Sequence, residues 1–151
     1  MSAFALDPRL AADTISLGDT FLSRLLLMND ARFPWLILVP RRPGLVELVD
    51  LQPAERAALM EEIAGVSVAL SARRGVDKIN VGALGNIVPQ LHVHIVGRAV
   101  GDDAWPGPVW GFGARRAYDR AAAEKISQEL AEALARILIE RPRLARAYND
   151  D

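Results

Sequence analysis

Apolar residues recur along the chain in two rhythms, and the change from one to the other divides it into elements. Thr20–Met28, rich in Leu and Phe, reads as a strand, and Trp35–Val39 is a short apolar run closed by Pro40 that reads as a buried strand. Between them Asn29-Asp30-Ala31-Arg32 carries turn chemistry, because Asn and Asp tolerate left-handed backbone and bond their own main chain. The pair predicts a hairpin. The rhythm then lengthens: Leu59, Ile63, Val66 and Leu70 fall at helical spacing. Pro53 suits the first turn of that helix, with Asp50 or Gln52 near its cap, and Arg73, Arg74 and Gly75 suit its end. Two further strands, Lys78–Gly82 and Gln90–Val96, flank a loop over Ala83–Pro89. A second helix is expected from Tyr118 to Glu140, with Ile126, Leu130, Leu134 and Ile137 on its apolar stripe and Pro142 ending it. Ahead of these, the mixed segment Asp7–Leu17 has room for a short helix. Strands grouped on either side of a helix favour an α+β fold over a doubly wound sheet.

Composition narrows this picture. A chain of 151 residues with 51% hydrophobic and 25% charged side chains fits one domain, residues 1–151, with an ordinary soluble surface. The net charge of −1 argues against a broad nucleic-acid footprint while leaving room for a local basic pocket. No cysteine is present, which excludes disulfides, zinc ribbons and thiol catalysis. The N-terminus lacks the basic and apolar regions of a signal peptide, and the longest apolar runs are too short to span a bilayer. A cytoplasmic protein without membrane contact is expected. No glycine-rich P-loop or Rossmann fingerprint occurs.

The chemistry gathers in Gln90-Leu91-His92-Val93-His94-Ile95-Val96-Gly97-Arg98. Alternation along a strand puts Gln90, His92 and His94 on one face and Leu91, Val93 and Ile95 on the other. A polar row opposite an aliphatic row is costly inside a sheet unless it opens onto a pocket. A half-exposed sheet would also hold two solvated histidines, but their pairing in a chain with no other histidine favours a site. Two uses compete. His-x-His can chelate a metal, yet a third histidine is lacking and Arg98 brings positive charge, which suits phosphate and repels a cation. Alternatively, a neutral imidazole can attack phosphorus and form a covalent histidyl intermediate. Histidine with an ordinary pKa of about 6.5 provides that neutral form at cytoplasmic pH.

The stretch resembles the His-φ-His-φ-His-φ-φ signature (φ apolar) of the histidine triad (HIT) superfamily of nucleotide hydrolases and transferases, with Gln90 in the first histidine position. Pro34–Arg42, the Asp50–Gly75 helix, the Lys78–Gly82 strand and Trp105-Pro106-Gly107 are similar in order to that family's elements, over roughly Thr20 to Gly111. The resemblance implies an antiparallel sheet with two main helices and a core of about residues 20–111, to which the hydrophobic pattern adds a C-terminal helical extension over about 118–140. No cofactor is expected, and the resemblance also implies a homodimer in which two sheets join. It assigns His92 as nucleophile on the α-phosphorus of a purine nucleotide conjugate, and His94 as its phosphate-contacting helper. Gln90 departs from the pattern, since an amide hydrogen-bonds but does not carry a proton as imidazole does. Trp35 stands where some members have a fourth histidine. Asn80 falls at a phosphate- or ribose-side asparagine, and Asn29 or Asp30 near a ribose-binding group. Each of these, like Asn86, also reads as a turn or strand-end residue, and Arg98 as either a phosphate ligand or a solvated charge. Trp105 and Trp110 pack over the pocket or in an interface. Dinucleoside polyphosphates, nucleoside phosphoramidates and adenylylated compounds are the implied substrates, and a nucleotide-binding protein with little turnover is the alternative.

Overall fold

The four predicted strands and the predicted helices persist, joined by a fifth strand that the hydrophobic pattern did not show. The structure is a computed structural model describing residues 3–139. Its elements run α1 (Pro8–Asp13), β1 (Thr14–Asp19), β2 (Ser23–Met28), β3 (Trp35–Pro40), a single 3-10 turn (Leu48–Asp50), α2 (Pro53–Ser71), β4 (Lys78–Gly82), β5 (Val93–Arg98) and α3 (Arg120–Ala133). The expected hairpin is β2–β3. The strands form one antiparallel sheet in the order β1-β2-β3-β5-β4, giving the α+β class.

The sheet is covered on both sides, which explains why β3 is an unbroken apolar run rather than an alternating one. Leu36 and Leu38 of β3 and Val93 and Ile95 of β5 face α2 and α3, meeting Leu59, Val66, Leu70 and Leu130. Trp35, Ile37 and Val39 of β3 and Val96 of β5 face the other way, against Leu10 of α1 and Phe33 and Val109 from loops. The second face has no long helix over it among the described residues, so side chains there can border an opening.

Three boundaries differ from expectation. Strand β1 occupies the second half of the Asp7–Leu17 segment and runs on to Asp19. Its alternation is broken by a bulge between Ser16 and Gly18, where Gly18 has φ 125°. Helix α3 stops at Ala133. Leu134 is still buried, but the chain continues in turns, and the Ile139 N–H donates to the Asp19 carbonyl at the end of β1 (2.8 Å). A 3.6-residue stripe does not distinguish a helix from successive turns that return to the same core. Glu140 and Pro142 lie outside the described residues. Finally, β5 begins at Val93 rather than Gln90, because the Leu91 N–H donates to Leu45 (2.9 Å) and not to a neighbouring strand. Among the described residues no helix is long and apolar enough to cross a membrane.

Candidate active site

The register of two central strands builds the floor of the site. In the β3–β5 ladder Trp35 lies opposite Val96 and Ile37 opposite His94. Trp35 and His94 are therefore diagonal neighbours on the face away from the long helices, within reach of long side chains. The Trp35 indole Nε1–H donates to His94 Nδ1 at 3.0 Å, with both residues buried. An indole N–H can only donate, so Nδ1 holds a lone pair and the proton of neutral His94 sits on Nε2. Burial and then the neighbouring His92 lower the His94 pKa to about 3. Taking the ring out of water disfavours its charged form, so His94 is a neutral Nε2–H donor at any physiological pH.

His92 sits just before the strand, and backbone geometry rather than strand alternation brings it to the same place. Its ring lies edge-on to His94 with centroids 4.8 Å apart. Its Nδ1 is 2.6 Å from the Gln90 carbonyl oxygen. A carbonyl only accepts, so Nδ1 carries the proton and Nε2 keeps its lone pair. The two imidazoles hold opposite tautomers: His92 offers a lone pair at Nε2, and His94 offers a proton there.

Both rings border a cavity of about 450 Å³. Its walls come from three places. Trp110 packs edge-on against His94 and Trp35, with centroids 5.7 and 6.2 Å away. It fits because Gly82, opposite His94, has no side chain; a Cβ there would lie 3.0 Å from Trp110 Cη2. The Trp110 Nε1–H is buried without a hydrogen-bond partner among the described residues. The segment 84–88, including Asn86, forms a second wall. The third is α1, whose Arg9 Nη1 donates to the Ile87 carbonyl (2.6 Å) and whose Asp13 is ion-paired with Arg115 (2.6 Å). Nothing in the sequence tied α1 to the histidines. Trp110 was readable as an aromatic beside Pro and Gly, but not as the residue that faces them.

Of the eight site candidates, the structure gathers His92, His94 and Asn86 around the cavity and uses the others elsewhere. Gln90 does not share the histidines' opening. Its Oε1 accepts from Asp7 N and its Nε2 donates to Ala5 O, both at 2.8 Å, which fastens the segment entering α1. Arg98 is fully buried: Nε and Nη2 clasp both Asp102 oxygens (2.7 and 2.8 Å) and Nη1 donates to Asn80 Oδ1 (2.9 Å). The hydrogen bond from Arg98 leads the interactions that hold the Asp102 carboxyl below its ordinary range. Arg98 and Asn80 are thus committed to each other and to Asp102, with neither on the cavity wall. Asn29 Oδ1 accepts from Tyr118 N (2.9 Å), and buried Asp30 pairs with Arg32 (2.7 Å) and accepts from Arg116 N (3.3 Å). This is turn chemistry that pins the 113–118 segment. Among the described residues no group of three His, Cys, Asp or Glu is placed to hold a metal ion.

A family model described as the HIT domain matches residues 9–101. Among solved structures, a histidine triad protein from Bradyrhizobium japonicum is 49% identical, with 91% of this chain and 99% of that chain covered and a TM-score of 0.82. Another from Marinobacter aquaeolei VT8 is 43% identical over 90% and 99%, with a TM-score of 0.87. A third, from Sinorhizobium meliloti 1021, is 45% identical over 89% and 97%, with a TM-score of 0.81. A comparison with the curated proteins finds no match.

Proposed function

The chain belongs to the HIT family, and from that premise we propose that it hydrolyses or transfers a nucleotidyl group from a purine nucleotide conjugate, with attack at the α-phosphate by His92. The opposite tautomers of the two imidazoles carry this reading. A phosphoryl centre under attack needs a lone pair on one side and a hydrogen-bond donor for its oxygens. His92 Nε2 provides the lone pair, since its Nδ1 proton is held by the Gln90 carbonyl. His94 Nε2–H provides the donor, since its Nδ1 is occupied by Trp35. In the first step the His92 nitrogen bonds to phosphorus and the leaving group departs. The resulting imidazolium is stabilised by its Nδ1–H bond to the carbonyl. In the second step water attacks phosphorus, the P–N bond breaks, and the pair returns to Nε2.

The cavity volume and its indole and aliphatic walls are compatible with a nucleotide, and Asn86 and Arg9 supply polar contacts at its rim. A homodimer fits the same reading: β4 is an edge strand with Val81 half-exposed, and sedimentation at micromolar concentration should report twice the chain mass. The decisive experiment for function is acid-quenched trapping of an AMP–protein adduct during turnover, mapped by mass spectrometry. The adduct is expected on His92 and absent from His92→Ala. Steady AMP release from both proteins at the same rate, with no adduct in either, would sink the proposal.

A further inference from the structure

A leaving group that departs from phosphorus with its bonding electrons must either be stable as an anion or receive a proton as it goes. The protons available on the cavity wall are therefore informative. Gln90, which occupies the first position of the motif, has both ends of its amide bonded to the backbone of Asp7 and Ala5. His92 keeps its one proton on the Nδ1 side, against the Gln90 carbonyl and away from the nitrogen that attacks. His94 has a single proton, at Nε2, because Trp35 donates to its other nitrogen. Giving that proton up would leave an imidazolate, and the strongly depressed pKa of His94 rules out a second proton near neutrality. The remaining polar groups on the wall are Asp13, ion-paired with Arg115, the Arg9 guanidinium, the Asn86 amide and the two indoles. None of these is a general acid at neutral pH. The described residues of the pocket can hydrogen-bond a developing charge but cannot neutralise it by proton transfer.

Resting on the nucleotidyl-histidine reading, we infer that this pocket selects substrates by the proton demand of their leaving group: it cleaves nucleoside monophosphates joined through an anhydride bond to a phosphate or a carboxylate, and discriminates against those joined to a basic amine. The electron count is simple for the anhydride. His92 Nε2 forms the N–P bond, the P–O bond breaks, and both its electrons leave on the phosphate or carboxylate oxygen, which is stable as an anion. Water then displaces His92 and its proton passes to solvent. For an amine conjugate the same scission would expel an amide anion unless a proton arrived at the nitrogen, and no wall group delivers one. The Arg9 guanidinium, bonded to Ile87 at the rim, favours the departing anion in the same direction.

Two measurements on the wild-type protein test this. The first compares kcat/KM for diadenosine tetraphosphate, acetyl adenylate and AMP morpholidate; the anhydrides should exceed the morpholidate by about 100-fold or more, the usual contribution of a missing general acid. The ratio between the two anhydrides tells whether a phosphate or a carboxylate is preferred. The second follows a series of AMP aryl esters graded in the acidity of the phenol, where log kcat/KM should fall steeply as the phenol becomes more basic. A flat series, or a morpholidate cleaved as fast as the anhydrides, overturns the inference while leaving His92 as the nucleophile. If no compound is turned over and no adduct forms on His92, the functional reading itself fails, and this inference with it.

Discussion

The two ends of β5 present the same face of the same strand, yet they do opposite things. At one end His94 and the adjoining His92 each spend one ring nitrogen on a fixed partner and keep the other for the cavity. At the other end Arg98, four residues on from His94, spends its guanidinium on Asp102 and Asn80 and lies between the rings of Phe33 and Trp105. Both ends are buried and polar. The difference is how much hydrogen-bonding capacity is left over. Histidine, with two opposed nitrogens, can be oriented through one and react through the other. Arginine saturated by a carboxylate and an amide is an anchor, here for the turn that leads into the loop carrying Trp110.

That contrast can be broken at either end. His92→Ala should lower kcat/KM by about 10⁴-fold or more, the scale of losing a covalent nucleophile, while leaving thermal unfolding nearly unchanged. An equal loss in both would merge the two ends into one structural unit. Arg98→Met should do the reverse. It leaves the partly buried Asp102 carboxylate and the Asn80 amide without their partner, which costs about 1.5–3 kcal/mol in chemical unfolding; activity measured on the fraction that remains folded should fall far less than in His92→Ala.

Acid sharpens the comparison further. The folded pKa of His94, about 3, lies below its unfolded value near 6.5, so the unfolded chain binds the extra proton more readily. The stability contributed by neutral His94 is complete above pH 6.5 and is lost as pH falls toward 3, by on the order of a few kcal/mol. Urea unfolding between pH 7 and pH 4.5 should show this slope, and His94→Gln should flatten it. The smallest change is Trp35→Phe. It leaves His94 Nδ1 without its donor, at about 1–3 kcal/mol. Nitrogen NMR of the His94 ring should then show a mixture of tautomers in place of one protonated at Nε2. An unchanged ring spectrum would remove Trp35 from its orienting role.

The central sheet, the long helix α2 and the two histidines were legible because each rests on a short-range regularity: period-two or continuous apolar strands, a 3.6-residue stripe, a repeated residue type. What stayed hidden depends on long-range pairing. Strand β1 was masked because the bulge at Ser16–Gly18 breaks its alternation. Gln90 joins the histidines' face only if strand geometry is extended three residues before the point where pairing begins, and its amide instead meets a segment 83 residues away. Arg98 read as available charge because Asp102 and Asn80 close on it only in the fold. Trp35 was visible as a departure from the resemblance, but its bond to His94 follows from a ladder register that no single-strand pattern reports.

That register has a consequence for which length changes the chain can absorb. A one-residue slip of β3 against β5 would turn Trp35 toward α2 and put Leu36 beneath His94. Insertions in the surface loops near Gly44 or Gly101 leave the ladder alone and should be tolerated. One extra residue between Phe33 and His94 that enters the ladder would leave the protein folded around an undirected imidazole. What must be kept along with the histidines is therefore the residue-by-residue pairing of these two strands, and not the length of chain that joins them.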